Sequence, residues 1–242
     1  MRIIFFGTPE PAVAVLETLL KGNNEIVCVV TQPDRPKGRG QKLSFSPVKE
    51  SALKHALPVE QPESVKNNKV FQSLIASLKP DLAVVVAYGK ILPKELLAIP
   101  RYGFINLHAS LLPKYRGAAP VQWALLKGEK ESGITIFKIV EQLDAGPVIA
   151  QKKIKISEDD TAETLLKKIM AEGAKLLTAV LKAIAAGKAD PVEQNEAAVT
   201  YAPQLTKESG EIDWKKSARE VHDRIRGLVP WPAAHTFSAA SG

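Results

Sequence analysis

Met1-Arg-Ile-Ile-Phe-Phe-Gly-Thr-Pro9 opens the chain with four consecutive apolar residues, 3–6, cut off by Gly7-Thr8-Pro9. The pattern recurs at 26–30, Ile-Val-Cys-Val-Val, and at 82–87, Leu-Ala-Val-Val-Val-Ala. A strand with one face in water alternates apolar and polar residues, whereas an unbroken branched run belongs to a strand covered on both faces. Such strands form parallel sheets, and parallel neighbours are joined by crossovers, usually helices. Helical patterns fill the gaps at 9–20, with Thr8 as the expected N-cap, at 47–54 and at 69–78. The βαβα alternation makes the chain α/β, with a doubly wound, mostly parallel sheet.

Further along, 104–108 supplies a central strand, 119–126 a helix and 133–140 a strand. The alternating charges of 148–156 place another strand at an edge or antiparallel. The clearest helix follows. Asp160-Thr-Ala-Glu163 reads as a capping box, Leu166, Met170, Leu177 and Leu181 form a stripe joined by Ile169, Leu176, Val180 and Ile184, and Gly187 ends it. Residues 188–204 are rich in Ala, Pro, Glu and Asn without a sustained period, which reads as a linker. The expected division is therefore a catalytic domain over 1–187, a linker over 188–204 and a partial second domain over 205–242.

A chain of 242 residues with 45% apolar content supplies a substantial core. The net charge of +7 favours a polyanionic partner such as nucleic acid. Cys28 is the single cysteine, so an intrachain disulfide is excluded, and a reducing cytoplasm fits best. His55, His222 and His235 have no ligand partners at metal spacing, and no metal is expected. No apolar stretch is long enough to span a bilayer, so no membrane partner is expected. Gly38-Arg-Gly40 lacks the third glycine and the strand-to-helix context of a dinucleotide fingerprint, which argues against NAD.

Chemistry is concentrated in Phe104-Ile-Asn-Leu-His-Ala-Ser-Leu-Leu-Pro-Lys-Tyr-Arg-Gly117 and Leu143-Asp-Ala-Gly-Pro147. Residues two apart on a strand share a face, so Asn106 and His108 point together while Ile105 and Leu107 point the other way. Taken singly, Asn106 is also a strand-end turn residue, His108 a satisfied core histidine and Asp144 a turn carboxylate. Together they offer an oxyanion donor, a proton carrier and a group to orient it, and the constellation reads as an active site.

The order Asn, His two residues on, Ser-Leu-Leu-Pro and a later Leu-Asp-x-Gly closely resembles the folate-dependent formyltransferase family, at Asn106, His108, Ser110, Leu111, Leu112, Pro113 and Asp144. The resemblance implies a Rossmann-like formyltransferase fold and 10-formyltetrahydrofolate as co-substrate. Asn106, His108 and Asp144 would be catalytic. Ser110, Leu111, Leu112 and Pro113, with Tyr88, Gly89 and Ile91 of Ala87-Tyr-Gly-Lys-Ile-Leu-Pro93, would bind the folate; from residues alone the latter stretch is equally a plain strand-to-helix turn. Ala145 stands where the family often has threonine, which implies reduced precision around the carboxylate.

Thr31-Gln-Pro-Asp-Arg-Pro-Lys-Gly-Arg-Gly-Gln-Lys42 is a Pro/Gly-punctuated loop carrying Arg35, Lys37, Arg39 and Lys42. A basic run of this kind is either a solvated surface loop or a phosphate-tracking one. It resembles the tRNA-engaging insertion of the branch that acts on initiator methionyl-tRNA, with Arg39 entering the acceptor end. Arg116-Gly-Ala-Ala-Pro-Val-Gln-Trp-Ala-Leu-Leu-Lys-Gly128 and Phe6-Gly-Thr-Pro-Glu-Pro11 resemble the same branch. The stretch from Glu211 to Arg226, followed by Pro230-Trp-Pro232, resembles the opening of that branch's barrel-like C-terminal domain, expected here to be incomplete and to lean on the first domain. The expected partners are thus initiator methionyl-tRNA and folate, and the chain is expected to be a monomer. The rivals are a sugar-nucleotide formyltransferase or a formyltetrahydrofolate hydrolase on the same scaffold, and a catalytically silent tRNA- or folate-binding fragment.

Overall fold

A computed structural model describes residues 1–37 and 42–237, with only the backbone described for Lys37 and Lys42. The main sheet has seven strands: β1 (Arg2–Gly7), β2 (Glu25–Val30), β5 (Val59–Glu60), β6 (Leu82–Val86), β7 (Phe104–His108), β8 (Glu131–Lys138) and β9 (Val148–Lys155). Their order is β5-β2-β1-β6-β7-β8-β9. The five strands from β5 to β7 run parallel, and β8 and β9 turn antiparallel. Chain order reverses beside β1, since β2 lies on one side of it and β6 on the other. In sheets of this kind the crevice for ligands lies beyond the carboxyl ends of the strands at such a switch.

Alternation along each strand divides the core between the two faces. Ile3, Phe5, Val84, Ile105 and Leu107 pack under α1 (Glu10–Leu20), α5 (Pro120–Leu126) and α6 (Ala162–Ala185). Ile4, Phe6, Val30, Val85 and Phe104 face the other layer with Phe71 and Ile75 of α3 (Lys69–Ser77) and Leu96 of α4 (Lys94–Leu97). Both faces are covered, which is why these strands carry no polar alternation. Cys28 is buried in the second layer, and burial pushes its thiol up to about 12. α2 (Pro47–Lys54) starts with Ser46, whose hydroxyl accepts from the Lys49 N–H.

Several local expectations shift. Thr8 does not cap α1: Pro9 is the N-cap, and the Thr8 hydroxyl donates instead to the Tyr88 carbonyl across the sheet end at 3.2 Å. The capping box of α6 lies one residue later than expected, between Thr161 and Thr164. Asp160 is thereby freed to accept from the Ser157 N–H, the Thr164 hydroxyl and the Lys168 ammonium. The fully buried stripe of α6 begins at Leu165, with Leu166 and Leu176 only partly buried. Gly187, at φ +65°, follows the C-cap residue Ala186 and adopts the left-handed conformation that ends helices. The basic loop forms a short antiparallel hairpin, β3 (Arg35–Lys37) with β4 (Lys42–Ser44), which the Pro and Gly content concealed.

Residues 188–204 do not hang free. Val192 exchanges backbone hydrogen bonds with Val148, and Ala202 does so with Arg116 and Ala119. Beyond them, α7 (Ala218–Gly227) packs on α5, and Ala119, Leu205 and Leu228 form a small apolar cluster there. Arg226, nearly fully buried, pairs with Asp223 and donates to the carbonyls of Ser157, Glu158 and Asp160. Trp214, Ile225 and Trp231 remain exposed. A groove of about 320 Å3 runs between Trp123 and Lys127 on one side and Val221 and Arg224 on the other. No helix among the described residues is long and apolar enough to cross a membrane.

Candidate active site

β7 delivers Asn106 and His108 to one face. In register, Asn106 lies beside Val85 and Phe137, and His108 beside Thr135. Ile105 and Leu107 anchor the strand from below in the α6 layer, while Asn106 and His108 share the parity of Phe104. His108 is buried, its ring edge-on to Phe137 at 6.4 Å between centroids. Asn106 is half-buried, and its amide makes no side-chain hydrogen bond among the described residues. A half-buried amide without a protein partner is available to a ligand.

The two ring nitrogens of His108 have different surroundings. Nε2 lies 2.9 Å from the Tyr115 carbonyl, which accepts but cannot donate, so Nε2 carries a proton. Nδ1 is then the ring nitrogen left to other partners, and it faces Asp144 Oδ2 at 3.6 Å. That separation is an ion-pair distance rather than a hydrogen bond. Ring orientation thus comes from the Tyr115 carbonyl, and the carboxylate acts through charge. Asp144 itself accepts from the Gly117 N–H at 2.8 Å, and its backbone sits at φ +49°, a left-handed conformation uncommon outside glycine. Gly146 lies so close to the Lys138 carbonyl that no Cβ would fit.

The Ser-Leu-Leu-Pro turn is pinned from β8 and β9. The Ser110 hydroxyl donates to the Lys114 carbonyl at 2.6 Å. Thr135 Oγ1 donates to the Ser110 carbonyl and accepts from the Leu112 N–H, and Gln151 Nε2 donates to the Leu112 carbonyl. The Leu111 side chain lies over Gly133, where a larger residue would displace it. Pro113 is half-buried, and its carbonyl accepts from Thr200 N–H.

Across the sheet end, the Tyr88 ring is buried edge-on against Phe6, and burial pushes its phenol up to about 12. The hydroxyl has no hydrogen-bond partner among the described residues. What Tyr88 offers this side is its carbonyl, which accepts from Thr8 Oγ1 and Gln32 Nε2. Gly89 holds φ +80° where a Cβ would meet Gln32 Nε2 at 2.7 Å, and Ile91 is exposed.

Of the basic residues, Arg35 is exposed and pairs with Glu63 at 3.1 Å. The backbones of Lys37 and Lys42 are partners in the register of the two strands. Arg39 lies outside the described residues. The hairpin base is clamped by Lys49, which pairs with Asp34, while Gln61 donates to Asp34 and the hydroxyls of Thr31 and Ser46 share a hydrogen bond. The Lys49 and Gln61 bonds hold the Asp34 carboxyl below its usual range. Among the described residues no three His, Cys, Asp or Glu side chains gather in a way that would hold a metal.

Thr135, Gln151, the Tyr115 carbonyl and Gly117 N–H carry no motif that marks them in sequence. Each acts on a residue 7 to 39 positions away, through the sheet or through a turn.

The formyl transferase family model matches residues 1–181, and the model of the formyl transferase C-terminal domain matches 204–241. The methionyl-tRNA formyltransferase of Caldanaerobacter subterraneus subsp. tengcongensis is 52% identical over 98% of this chain and 77% of its own length. That of Bacillus subtilis is 49% identical over 97% and 74%. Among solved structures, a 4-N formyltransferase from Francisella tularensis superimposes with a TM-score of 0.76 at 18% identity, covering 98% of this chain and 92% of the other. A sugar 3N-formyl transferase solved with dTDP and 5-N-formyl-THF gives 0.72 at 22% identity, over 94% and 78%. At such identities the structures speak for the fold alone. With one family model spanning 1–181 and relatives about half identical along nearly the whole chain, this protein belongs to the formyl transferase family.

Proposed function

We propose that this chain transfers the formyl group of 10-formyltetrahydrofolate to the α-amino group of initiator methionyl-tRNA, for translation initiation in the cytoplasm. The observation that carries the reading is the placement of Asn106, His108 and Asp144 together at the carboxyl end of β7, in a chain about half identical to enzymes named for that reaction.

Attack of a neutral amine on a formyl carbon builds negative charge on the formyl oxygen. The Asn106 amide, held by the sheet and without a side-chain hydrogen bond among the described residues, donates to that oxygen, a contribution of the kind whose loss costs about a hundredfold or more in rate. The amine sheds a proton as it attacks, and His108 accepts it at Nδ1, since Nε2 is engaged by Tyr115. Asp144, 3.6 Å from Nδ1, stabilises the imidazolium so formed. The leaving nitrogen then takes the proton back from the same atom. The scheme uses no metal.

The folate seat is assigned to the Tyr88 backbone, Gly89 and Ile91 on one side and to Ser110, Leu111, Leu112 and Pro113 on the other. The tight Gly89 turn and the pinned Ser-Leu-Leu-Pro turn support this, because both hold their backbone rigidly at the switch end of the sheet. The hairpin bearing Arg35, Lys37, Arg39 and Lys42 is assigned to the tRNA acceptor end. The protein acts as a monomer in this reading.

The deciding assay offers labelled formyl donor with three acceptors: charged initiator tRNA, an amino-sugar nucleotide, and water alone. Label on the methionyl amine is the expected result. Preferential labelling of the sugar, or release of formate without transfer, overturns it.

A further inference from the structure

We propose that Gln194, in the segment that joins the two parts of the chain, is a positioning residue for the Asp144 carboxylate; this rests on the catalytic assignment made above. Gln194 Nε2 donates both amide hydrogens to the turn that carries the acid, one to the Asp144 carbonyl and one to the Gly146 carbonyl, each at 2.8 Å. Its Oε1 accepts from Arg116 Nη2 at 2.8 Å and Nε at 3.2 Å. All the hydrogen-bonding capacity of the amide nitrogen is thereby spent on one turn and that of its oxygen on one guanidinium.

The turn needs such a tie. Asp144 holds a left-handed backbone that a non-glycine residue keeps only when its surroundings impose it. Gln194 supplies that constraint at the residue's own carbonyl and at that of Gly146, two residues on. The carboxylate end is held through the same partner: Oδ2 accepts from the N–H of Gly117, the residue after Arg116. Arg116 is itself fully buried and further fixed by Glu196, with Gly117 packed so that a Cβ would lie 2.7 Å from the Ala202 carbonyl. Backbone and side chain of Asp144 are therefore referred to one rigid frame made of 116–117 and 194–202. The distance from Asp144 Oδ2 to His108 Nδ1 is set by that frame, because no direct hydrogen bond joins the two side chains.

Two variants separate positioning from simple folding. Gln194→Met keeps the length and removes both kinds of bond. Gln194→Glu keeps an oxygen for Arg116 but turns oxygen toward the two carbonyls. Both are expected to lower kcat about tenfold or more, with KM for folate and tRNA within about twofold. In an Asp144→Asn background the Gln194→Met change is expected to cost less than twofold further, since residues that act through one another are non-additive. Independently of activity, hydrogen exchange at the Gly117 amide is expected to speed at least about tenfold in both variants while β7 stays protected. Unchanged exchange at Gly117, an undiminished kcat, or a full additive loss in the Asp144→Asn background overturns the proposal. Failure of both variants to fold overturns it as well, for Gln194 would then serve the fold and not the acid. A parent protein that transfers formyl to no acceptor defeats the catalytic reading instead, and the Gly117 exchange still decides whether Gln194 holds Asp144.

Discussion

Asn106 is a half-buried polar residue of β7 whose side chain makes no hydrogen bond among the described residues. An amide that the fold leaves unpaired can bond to water or to a ligand, which makes it available to a substrate. Replacing it tests whether its service is in the ground state or in the transition state. Asn106→Ala is expected to reduce kcat about a hundredfold with KM changed less than about threefold. Steady-state kinetics with labelled formyl donor measures both, and a loss confined to KM would remove Asn106 from the oxyanion role. His108 shows why the residue scale is not enough by itself. Its identity suits the proton carrier of the proposed scheme, yet which ring nitrogen is left free for that task is set by the Tyr115 carbonyl, seven residues on.

At the scale of an element, α6 and the strand end before it are organised by Asp160. Burial alone would raise its pKa, but the Lys168 ammonium, the Ser157 N–H and the Thr164 hydroxyl outweigh it and hold the carboxyl below its usual value. A carboxyl whose folded pKa is depressed contributes stability above its unfolded value of about 3.9, and the contribution disappears as pH falls through the folded value. Asp160→Asn is therefore expected to cost ~1–3 kcal/mol at pH 7, where a nearly buried three-partner acceptor is lost. The gap from the parent should close as pH drops below about 4. Urea unfolding at pH 7 and pH 3 checks this; an equal gap at both would mean the charge is immaterial. The α6 capping box is a related case. Thr161 and Thr164 form it rather than Asp160 and Glu163, because Asp160, itself buried, gains more from its three partners than from an exposed cap.

For the whole molecule, the question is how residues 205–237 stay docked on the helices and strands before them with so small an apolar cluster of their own. Arg226 answers it, bridging Asp223 of its own helix and three carbonyls at 157–160. Arg226→Met leaves Asp223 buried with the half-exposed Arg219, and His222 at 3.8 Å, as its remaining ion-pair partners among the described residues, and a loss of ~3 kcal/mol is expected. Limited proteolysis beyond residue 188 should accelerate well before the sheet unfolds; digestion as slow as that of the parent would show that the apolar contacts of α7 suffice. Charge acts at the same scale. If the cations of the 35–42 hairpin neutralise about four phosphates, raising salt from 50 to 200 mM should weaken tRNA binding by roughly fifty- to 150-fold. Filter binding measures it, and a change below about threefold would place the tRNA elsewhere.

The strands were legible because burial on both faces forbids polar interruptions: 3–6, 26–30 and 82–87 could be recognised from composition alone, as could the shared face of Asn106 and His108 from their spacing of two. β8 and β9 were found, the latter from its charged alternation, but not their exact ends. The hairpin of 35–44 was not, since proline and glycine are read as loop punctuation when neighbouring pairing partners are unknown. Nor was the work of residues 188–204, which lack periodicity because they form no regular element, and whose bonds to Arg116, Asp144 and Val148 span about 40 to 90 residues. Sequence alone thus determined six of the seven strands of the main sheet, all but the two-residue β5, and that Asn106 and His108 share one face, since both follow from short-range periodicity. Only the tertiary structure decided which His108 nitrogen is free, what holds Asp144 and where the last helix docks, because hydrogen bonds between distant segments leave no period in the chain.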